Sequence, residues 1–455
     1  MGSLLGHYDV HDPVYRLETG AIAPDEFCRL VLPGVSADRV RAAWCRMLVG
    51  IPLRRLQALE HLSRRYNLYL LSNTNDIHWT YSLEEHFLKQ GFDPSKLFKR
   101  IFLSHEMHLA KPDEAIYRQV LEEAQLNPEE TLFVDDSAEN CASFASLGVH
   151  TLRPSVPDAW LGELCPAVAT VGFFDGVHLG HQHLIGQLKD QCQSGMRSMV
   201  VTMNRHPRQI VQPDFAPCLL STMDVKLRQL RQAGVDHVEV LDFDRAMSRM
   251  TAPEFMEHIL RDRLGVRILL MGYDHRFGHG GGSHENYVRW GEALGIRVLL
   301  ATELERMHVS SSEVRHALER GDVATASQLL GRPYELDGRV VSGHQVGRTI
   351  GFPTANLEVD PCILIPAGGV YAVWATLPGG ERFKGMLNIG QRPTLANGSN
   401  VSVEVNLLDF SGDLYDTSLS LQLMQRLRDE RRFGSLEELQ EQLCQDAQHA
   451  AQLLG

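Results

Sequence analysis

Residues 168–188 read VATVGFFDGVHLGHQHLIGQL: an apolar run passes through Gly172, Asp175 and Gly176 into His178, Gly180 and His181. A short apolar segment, a glycine turn and then a helical segment form the opening unit of an α/β sheet. Three chemistries fit the turn. His178, His181 and His183, spaced H-x-x-H-x-H, are candidate metal ligands with Asp175 as a fourth. Alternatively, they are polar residues opening an ordinary helix. In the third reading the glycines let the backbone approach a phosphate, while the helix N-terminus and the imidazoles face its charge.

The flanking chain continues the pattern. SMVVTM (198–203), HVEVLDF (237–243), RILLMGY (267–273) and RVLLAT (297–302) are further apolar runs, with helical segments after Gly180 and near 224–233 and 252–264. Alternation of this kind implies a parallel, doubly wound, Rossmann-like sheet over 165–320, with the quoted turn at its first strand. HVSSSEVR (308–315) places Ser310, Ser311 and Ser312 before a helix that carries Arg315. Helix N-terminal amides, hydroxyls and a guanidinium together make a phosphate clamp. Serine-rich helix caps are common, so this segment alone is a weak sign.

G-x-F-D-G-x-H-x-G-H followed by S-S-S-x-x-R resembles the flavin adenylyltransferase half of the bacterial bifunctional riboflavin kinase and FMN adenylyltransferase family. TMNRHP (202–207) and GYDHRFG (272–278) extend the match. The resemblance implies that His178 and His181 stabilise charge on ATP phosphates. It also implies that Gly172, Phe174, Asp175, Gly176, Gly180, Ser310, Ser311, Ser312 and Arg315 surround those phosphates, and that Asp274 contacts flavin or nucleotide. His183 falls outside the motif, so the metal reading recedes. Met203 and His275 stand where the family usually has phenylalanine, and Arg205 where it has proline, which bears on flavin affinity rather than on the chemistry.

Beyond residue 321 the grammar changes. GRVVSGHQ (338–345), GVYAVWATL (369–377), RFKGMLNIG (382–390), VSVEVNLLDF (401–410) and SLSLQLM (418–424) are short strand-like runs with glycine-rich connections, implying a small β-barrel over 321–455. A terminal helix follows, with Ser435 and Glu438 as its capping box and Leu436, Leu439 and Leu443 as its packing stripe. GRTIGFPTANLE (347–358) lacks the G-K-S/T of a Walker loop. The string resembles the riboflavin kinase signature. That implies ATP at Gly347, Arg348, Gly351 and Pro353, magnesium at Thr354 and Asn356, Glu404 as general base and a flavin contact from the closing RLRDERRFGSLEEL segment that contains Arg428. On alternation alone Glu404 shares a strand face with Ser402, Asn406 and Leu408, opposite Val401, Val403, Val405 and Leu407, and that face could simply be solvated. Asp416 departs from the usual glycine.

Residues 1–155 alternate helical and strand-like segments. NLYLLSNTN (67–75) and TLFVDDSAEN (131–140) read as strands ending in polar turns, with Lys111 between them. Polar residues at strand C-termini lie where open α/β sheets bind ligands. Ser72, Lys111, Asp135 and Asp136 resemble the later motifs of a haloacid dehalogenase-like phosphatase. The nucleophile motif, an apolar strand leading to D-x-D, has no counterpart, since Asp9 and Asp12 are spaced D-x-x-D without such a strand. We expect a vestigial α/β body without phosphatase activity and with unpaired strand edges. RPSVPDAWLGELCP (153–166) reads as a linker crossed by few contacts, so that a chain starting near Leu161 would keep its flavin chemistry.

Composition narrows the partners. The 455 residues carry a net charge of −13, which gives no field to gather nucleic acid but leaves small nucleotides possible. No apolar run approaches the roughly 18 residues of a membrane span, and the start MGSLLGHYDVHD shows no signal peptide. Eight cysteines without a C-x-x-C pair point to reduced, mostly buried thiols and a cytoplasmic protein. The expected function is phosphorylation of riboflavin to FMN in the barrel, followed by adenylylation of FMN to FAD in the middle sheet.

Overall fold

The computed structural model describes residues 11–212, 218–273, 275–304, 309–342, 351–391 and 401–455. Asp274, Gly347 and Arg348 lie outside the described residues.

In the N-terminal body, the run ending at Ser72 forms β1 (Tyr69–Ser72), parallel to β2 (Arg100–Leu103). The run before Asp135 forms β3 (Leu132–Val134), parallel to β4 (His150–Leu152). Leu71 of β1 and Phe133 of β3 pack on one buried cluster of Ile116, Tyr117, Phe144 and Val149, yet the two pairs remain separate sheets. Leu132 and Val134 are exposed beside the break. Among the described residues these pairs stay split, and apolar residues exposed at a strand edge are a folding liability.

The middle body is a five-stranded parallel sheet: β5 (Ala167–Val171), β6 (Arg197–Met203), β7 (His237–Leu241), β8 (Val266–Met271) and β9 (Arg297–Leu300), in the order β7-β6-β5-β8-β9. Every residue of β5 and β6 is buried. Ala167, Ala169 and Val171 feed one hydrophobic cluster and Val168 a second on the opposite face, so both faces are covered. This two-sided burial is why these segments read as continuous apolar runs rather than alternations. The first turn therefore leaves the central strand at its carboxyl end.

Beyond it, β10 (Tyr334–Val341), β11 (Ala355–Glu358), β12 (Gly369–Thr376), β13 (Arg382–Gln391), β14 (Val401–Leu407) and β15 (Ser418–Arg428) close an antiparallel barrel in the order β10-β11-β14-β13-β12-β15. Strand β11 was not anticipated, because it starts two residues after Pro353 in a stretch whose prolines and glycines read as a turn. The terminal helix spans Leu436–Leu453, and Ser435 Oγ accepts from the Glu438 amide at 3.2 Å. Its packed face differs from the leucine stripe: Leu436 is 58% exposed, whereas Asp446, Ala450 and Leu454 turn inward. Ala450 and Leu454 pack on Ala372 and Met386, and Asp446 meets Arg428, so a buried ion pair and small residues set the rotation of the helix.

The segment 153–166 is not a free linker. Asp158 is 7% exposed and accepts from Arg54 Nη2 at 2.6 Å and Arg55 Nε at 2.6 Å. Burial by itself would raise the Asp158 carboxyl, but the two guanidiniums hold it below its ordinary value. The helix Leu53–Ser63 lays Ala58 and Leu62 against Leu161 and Cys165, and Gln57 hydrogen-bonds His237 of β7. The expectation of few crossing contacts therefore fails, because long-range polar pairs leave no periodic trace in sequence. A chain beginning at Leu161 is expected to melt roughly 5 °C or more below the full chain, since each kcal/mol lost is worth about 2–4 °C at this size. FAD formation should fall before FMN formation, because β7 belongs to the middle sheet. Thermal melts with both activities check this, and unchanged melting and rates would make the N-terminal body a passenger.

Candidate active sites

At the end of β5 the backbone turns through three residues of positive φ, Phe174 (φ 56°), Gly176 (φ 73°) and Val177 (φ 38°), before the helix Leu179–Asp190 begins. Gly176 is required twice over, since a Cβ there would also lie 2.8 Å from Leu220 Cδ1. His178 is the N-cap of that helix, and its Nδ1 accepts from the His181 amide at 3.4 Å. The His178 and His181 rings stack, with centroids 3.7 Å apart and planes 19° from parallel. Face-to-face rings do not aim their nitrogens at one cation. Among the described residues no group of three or more His, Cys, Asp or Glu is placed to hold a metal ion. Burial, then Arg332 and Arg315, push His178 down to about 4, and burial pushes His181 well below its ordinary value. Both imidazoles are therefore neutral near pH 7 and can offer N–H donors.

The second segment meets this turn. Ser311 Oγ donates to the Asp175 carbonyl at 3.0 Å, and Arg315 pairs with the Asp175 carboxylate while its Nε donates to the Cys218 carbonyl at 2.7 Å. Asp175 also accepts from the Leu220 amide at 2.9 Å, and burial raises its pKa against the pull of Arg315. Ser310 caps the helix Ser311–Glu319 in a box with Glu313, and Ser312 is exposed. Two of the three hydroxyls thus shape the site. Gly172 and Gly180 sit where a Cβ would crowd the Phe174 ring (2.8 Å) and His178 (3.2 Å).

Sequence reasoning missed two cations here. Arg332 Nη1 donates to the Val177 carbonyl at 3.0 Å, and its Nη2 donates to that of Gly176. Lys226 Nζ lies 3.1 Å from the Phe173 carbonyl. Lone cations on helices and at strand starts read as solvated, and only the fold reveals their burial. Beside them Leu219 bridges Ile363 of the barrel body, and Leu220 joins the barrel's own hydrophobic core. A cavity of about 510 Å³ opens at this junction, lined by Asn204, Arg205, Ile210, Leu219, Met223 and Ile363 among others.

In the barrel, Val403, Val405 and Leu407 of β14 face the core. Glu404 lies on the outer face, in register with Asn356 of β11 and Asn388 of β13. That face is not a solvated one. Asn356, Ser402 and Asn406 are buried, Asn406 Nδ2 donates to the Pro353 carbonyl at 2.7 Å, and Leu408 packs beside Phe352. Thr354 Oγ1 donates to Glu404 Oε2 at 3.4 Å, so Thr354, Asn356 and Glu404 converge; Asn388 is the member that sequence did not suggest. Gly351 (φ 81°), Pro353 and Thr354 are exposed on the approach. Arg428 of the closing segment pairs with Asp446 at 2.7 Å and donates to the Asp429 carbonyl.

In the N-terminal body Lys111 Nζ pairs with Asp135 at 2.6 Å, and Asp135 also accepts from the Ser137 amide and Asn140. Burial opposes its ionisation, yet Lys111 and these donors hold the carboxyl below its ordinary value. Asn73, next to Ser72, exchanges two hydrogen bonds with the Lys111 backbone. Asp136 is exposed, and its carbonyl accepts from Arg153.

The family profile for FAD synthetase matches residues 162–313, that for riboflavin kinase residues 330–454, and that for haloacid dehalogenase-like hydrolase residues 43–148. A bifunctional riboflavin kinase/FMN adenylyltransferase from Pseudomonas fluorescens is 38% identical over 313 residues, covering 67% of this chain and 96% of its own. That of Escherichia coli K12 is 36% identical over 312 residues, covering 68% and 97%. A solved structure described as a macrolide-efflux protein from Streptococcus pneumoniae shares the fold with TM-score 0.58 and 27% identity, covering 70% of this chain and 98% of its own. Behind a haloacid dehalogenase-like body, the chain belongs to the bifunctional riboflavin kinase/FMN adenylyltransferase family.

Proposed function

We propose that this chain makes FAD in two ATP-dependent steps: riboflavin and ATP give FMN and ADP in the barrel, then FMN and ATP give FAD and pyrophosphate at the middle sheet. The observation that carries this reading is the presence in one chain of two differently built sites, a carboxylate set among neutral oxygen ligands at Glu404 and a donor-rich turn at His178. In the barrel, Glu404 accepts the proton of the terminal ribityl hydroxyl as that oxygen attacks the γ-phosphorus and ADP departs. The hydroxyl and amide oxygens of Thr354 and Asn356 suit magnesium carried on ATP, which would neutralise phosphate charge there. Gly347, Arg348, Gly351 and Pro353 are assigned to the ATP approach.

At the middle sheet no protein nucleophile is needed. A phosphate oxygen of FMN attacks the α-phosphorus of ATP, the bond to the β-phosphate oxygen breaks, and pyrophosphate leaves. His178, His181 and the helix amides stabilise the charge that develops on the transferring group. Asp175 holds Arg315 at the rim, Ser310, Ser311 and Ser312 sit at the second helix N-terminus, and Asp274 is assigned to flavin or nucleotide. The cavity beside Arg205 has room for part of a flavin. Domain limits of 1–155, 165–320 and 321–455 are part of the same proposal. The N-terminal body is taken to be inactive as a phosphatase, because no D-x-D nucleophile motif accompanies Ser72, Lys111, Asp135 and Asp136.

Small nucleotides and flavins, not nucleic acid, are the proposed partners of a chain with net charge −13. The proposed compartment is the cytoplasm, in keeping with eight free thiols, of which four are buried. No helix among the described residues is long and apolar enough to cross a membrane. Incubating the protein with riboflavin and Mg·ATP and separating flavins by chromatography tests the reading: FMN then FAD is expected, and riboflavin left unchanged would refute it.

A further inference from the structure

Lys226 is 3% exposed on the helix Met223–Gln232. Its ammonium lies 3.1 Å from the Phe173 carbonyl, 3.3 Å from that of Met203, and 4.1 Å over the Phe173 ring. Three donors thus meet two carbonyls and one aromatic face, which satisfies the ammonium and leaves it enclosed. The two carbonyls stand at the carboxyl ends of neighbouring parallel strands, where the triphosphate must approach. The Phe173 carbonyl also accepts from Thr202 Oγ1 at 3.0 Å, so both its lone pairs are held by buried side chains.

This fixes one peptide plane. The 173–174 unit leads directly into Phe174 at φ 56°, a region that L residues rarely adopt unless their surroundings hold them there. From Phe174 the chain delivers Asp175, Gly176 and the His178 cap. Arg332 donates to the Gly176 and Val177 carbonyls further along the same turn. Enclosed as it is, Lys226 does not itself reach a phosphate; its effect passes through the turn.

Resting on the reading of the middle sheet as the adenylyltransferase, we propose that Lys226, with Thr202, is a positioning residue that holds the Phe173 carbonyl and so sets the left-handed turn aiming His178 and His181 at the transferring phosphoryl group. Misplacing donors by a fraction of an ångström weakens transition-state stabilisation more than ground-state binding.

The test uses the full chain supplied with FMN and Mg·ATP, and separately with riboflavin and Mg·ATP. Lys226→Met, which keeps the stem but removes the charge, is expected to lower kcat for FAD formation about 10- to 100-fold with KM for ATP and FMN within about 3-fold. Lys226→Arg should recover most of the rate, and Thr202→Val should lower kcat alone by a smaller factor. FMN formation should stay at the parent rate in all three, which certifies the fold. A parent-like kcat in Lys226→Met, a KM effect without a kcat effect, or loss of both activities together would each overturn the assignment. If the parent chain makes FMN from riboflavin but never converts supplied FMN to FAD, the reading of the middle sheet falls first and takes the assignment with it.

Discussion

Glu404→Gln is expected to cut FMN formation by about 10²- to 10⁴-fold while conversion of supplied FMN to FAD keeps the parent rate. Glutamine fills the same volume on β14 and can still accept from Thr354 Oγ1, so the register with Asn356 and Asn388 survives. What it cannot do is take a proton from the attacking hydroxyl. The outer face of β14 is closed by Phe352, Leu408 and the Asn406–Pro353 bond, which keeps the residue from being a bystander on open surface. Steady-state assays of the two half-reactions decide the matter, and undiminished kinase turnover would remove Glu404 from the mechanism.

Replacing His178 and His181 together by alanine should reverse the pattern: FMN accumulates and FAD formation falls by roughly 10²-fold or more, as a pre-aligned donor pair is lost. The pair also has a pH signature. Buried His178 is pushed down to about 4, whereas an unfolded chain binds that proton near pH 6.5. Because the folded pKa is the lower one, acidification favours the unfolded chain. Stability is lost as pH falls from about 6.5 toward 4 and is unaffected above that window. Denaturant midpoints of parent and His178→Ala across this range should converge with acid. FAD made at the parent rate by the double variant would refute the role given to the imidazoles.

The middle sheet was legible because burial on both faces makes β5 and β6 continuous apolar words, and the H-x-G-H turn follows the central one. Strand β11 was hidden by Pro353, and the terminal helix was rotated wrongly because three leucines outweighed Asp446, whose inward turn depends on Arg428 eighteen residues earlier. At the sites, contiguous motifs pointed to residues that the fold brings together, such as Asp175 with Ser311 and Arg315. They did not point to Lys226, Arg332 and Asn388, since each becomes informative only through a carbonyl or a neighbouring strand distant in sequence. The N-terminal docking escaped for the same reason: Arg54 and Asp158 are 104 residues apart.

Leu219 is hydrogen-bonded on both sides to the barrel body, accepting from Leu364 and donating to Cys362, while the amide of the very next residue holds the carboxylate of Asp175. Leu220 is meanwhile counted among the barrel's interior side chains, and Arg332, at the barrel's threshold, clasps the adenylyl turn. The two enzymes are therefore keyed rather than strung together. As heritable units they do not separate at the boundary the sequence suggests: a gene that lost the kinase would inherit a transferase lacking part of its wall, and trading one catalytic half between lineages would require the matching half to travel with it.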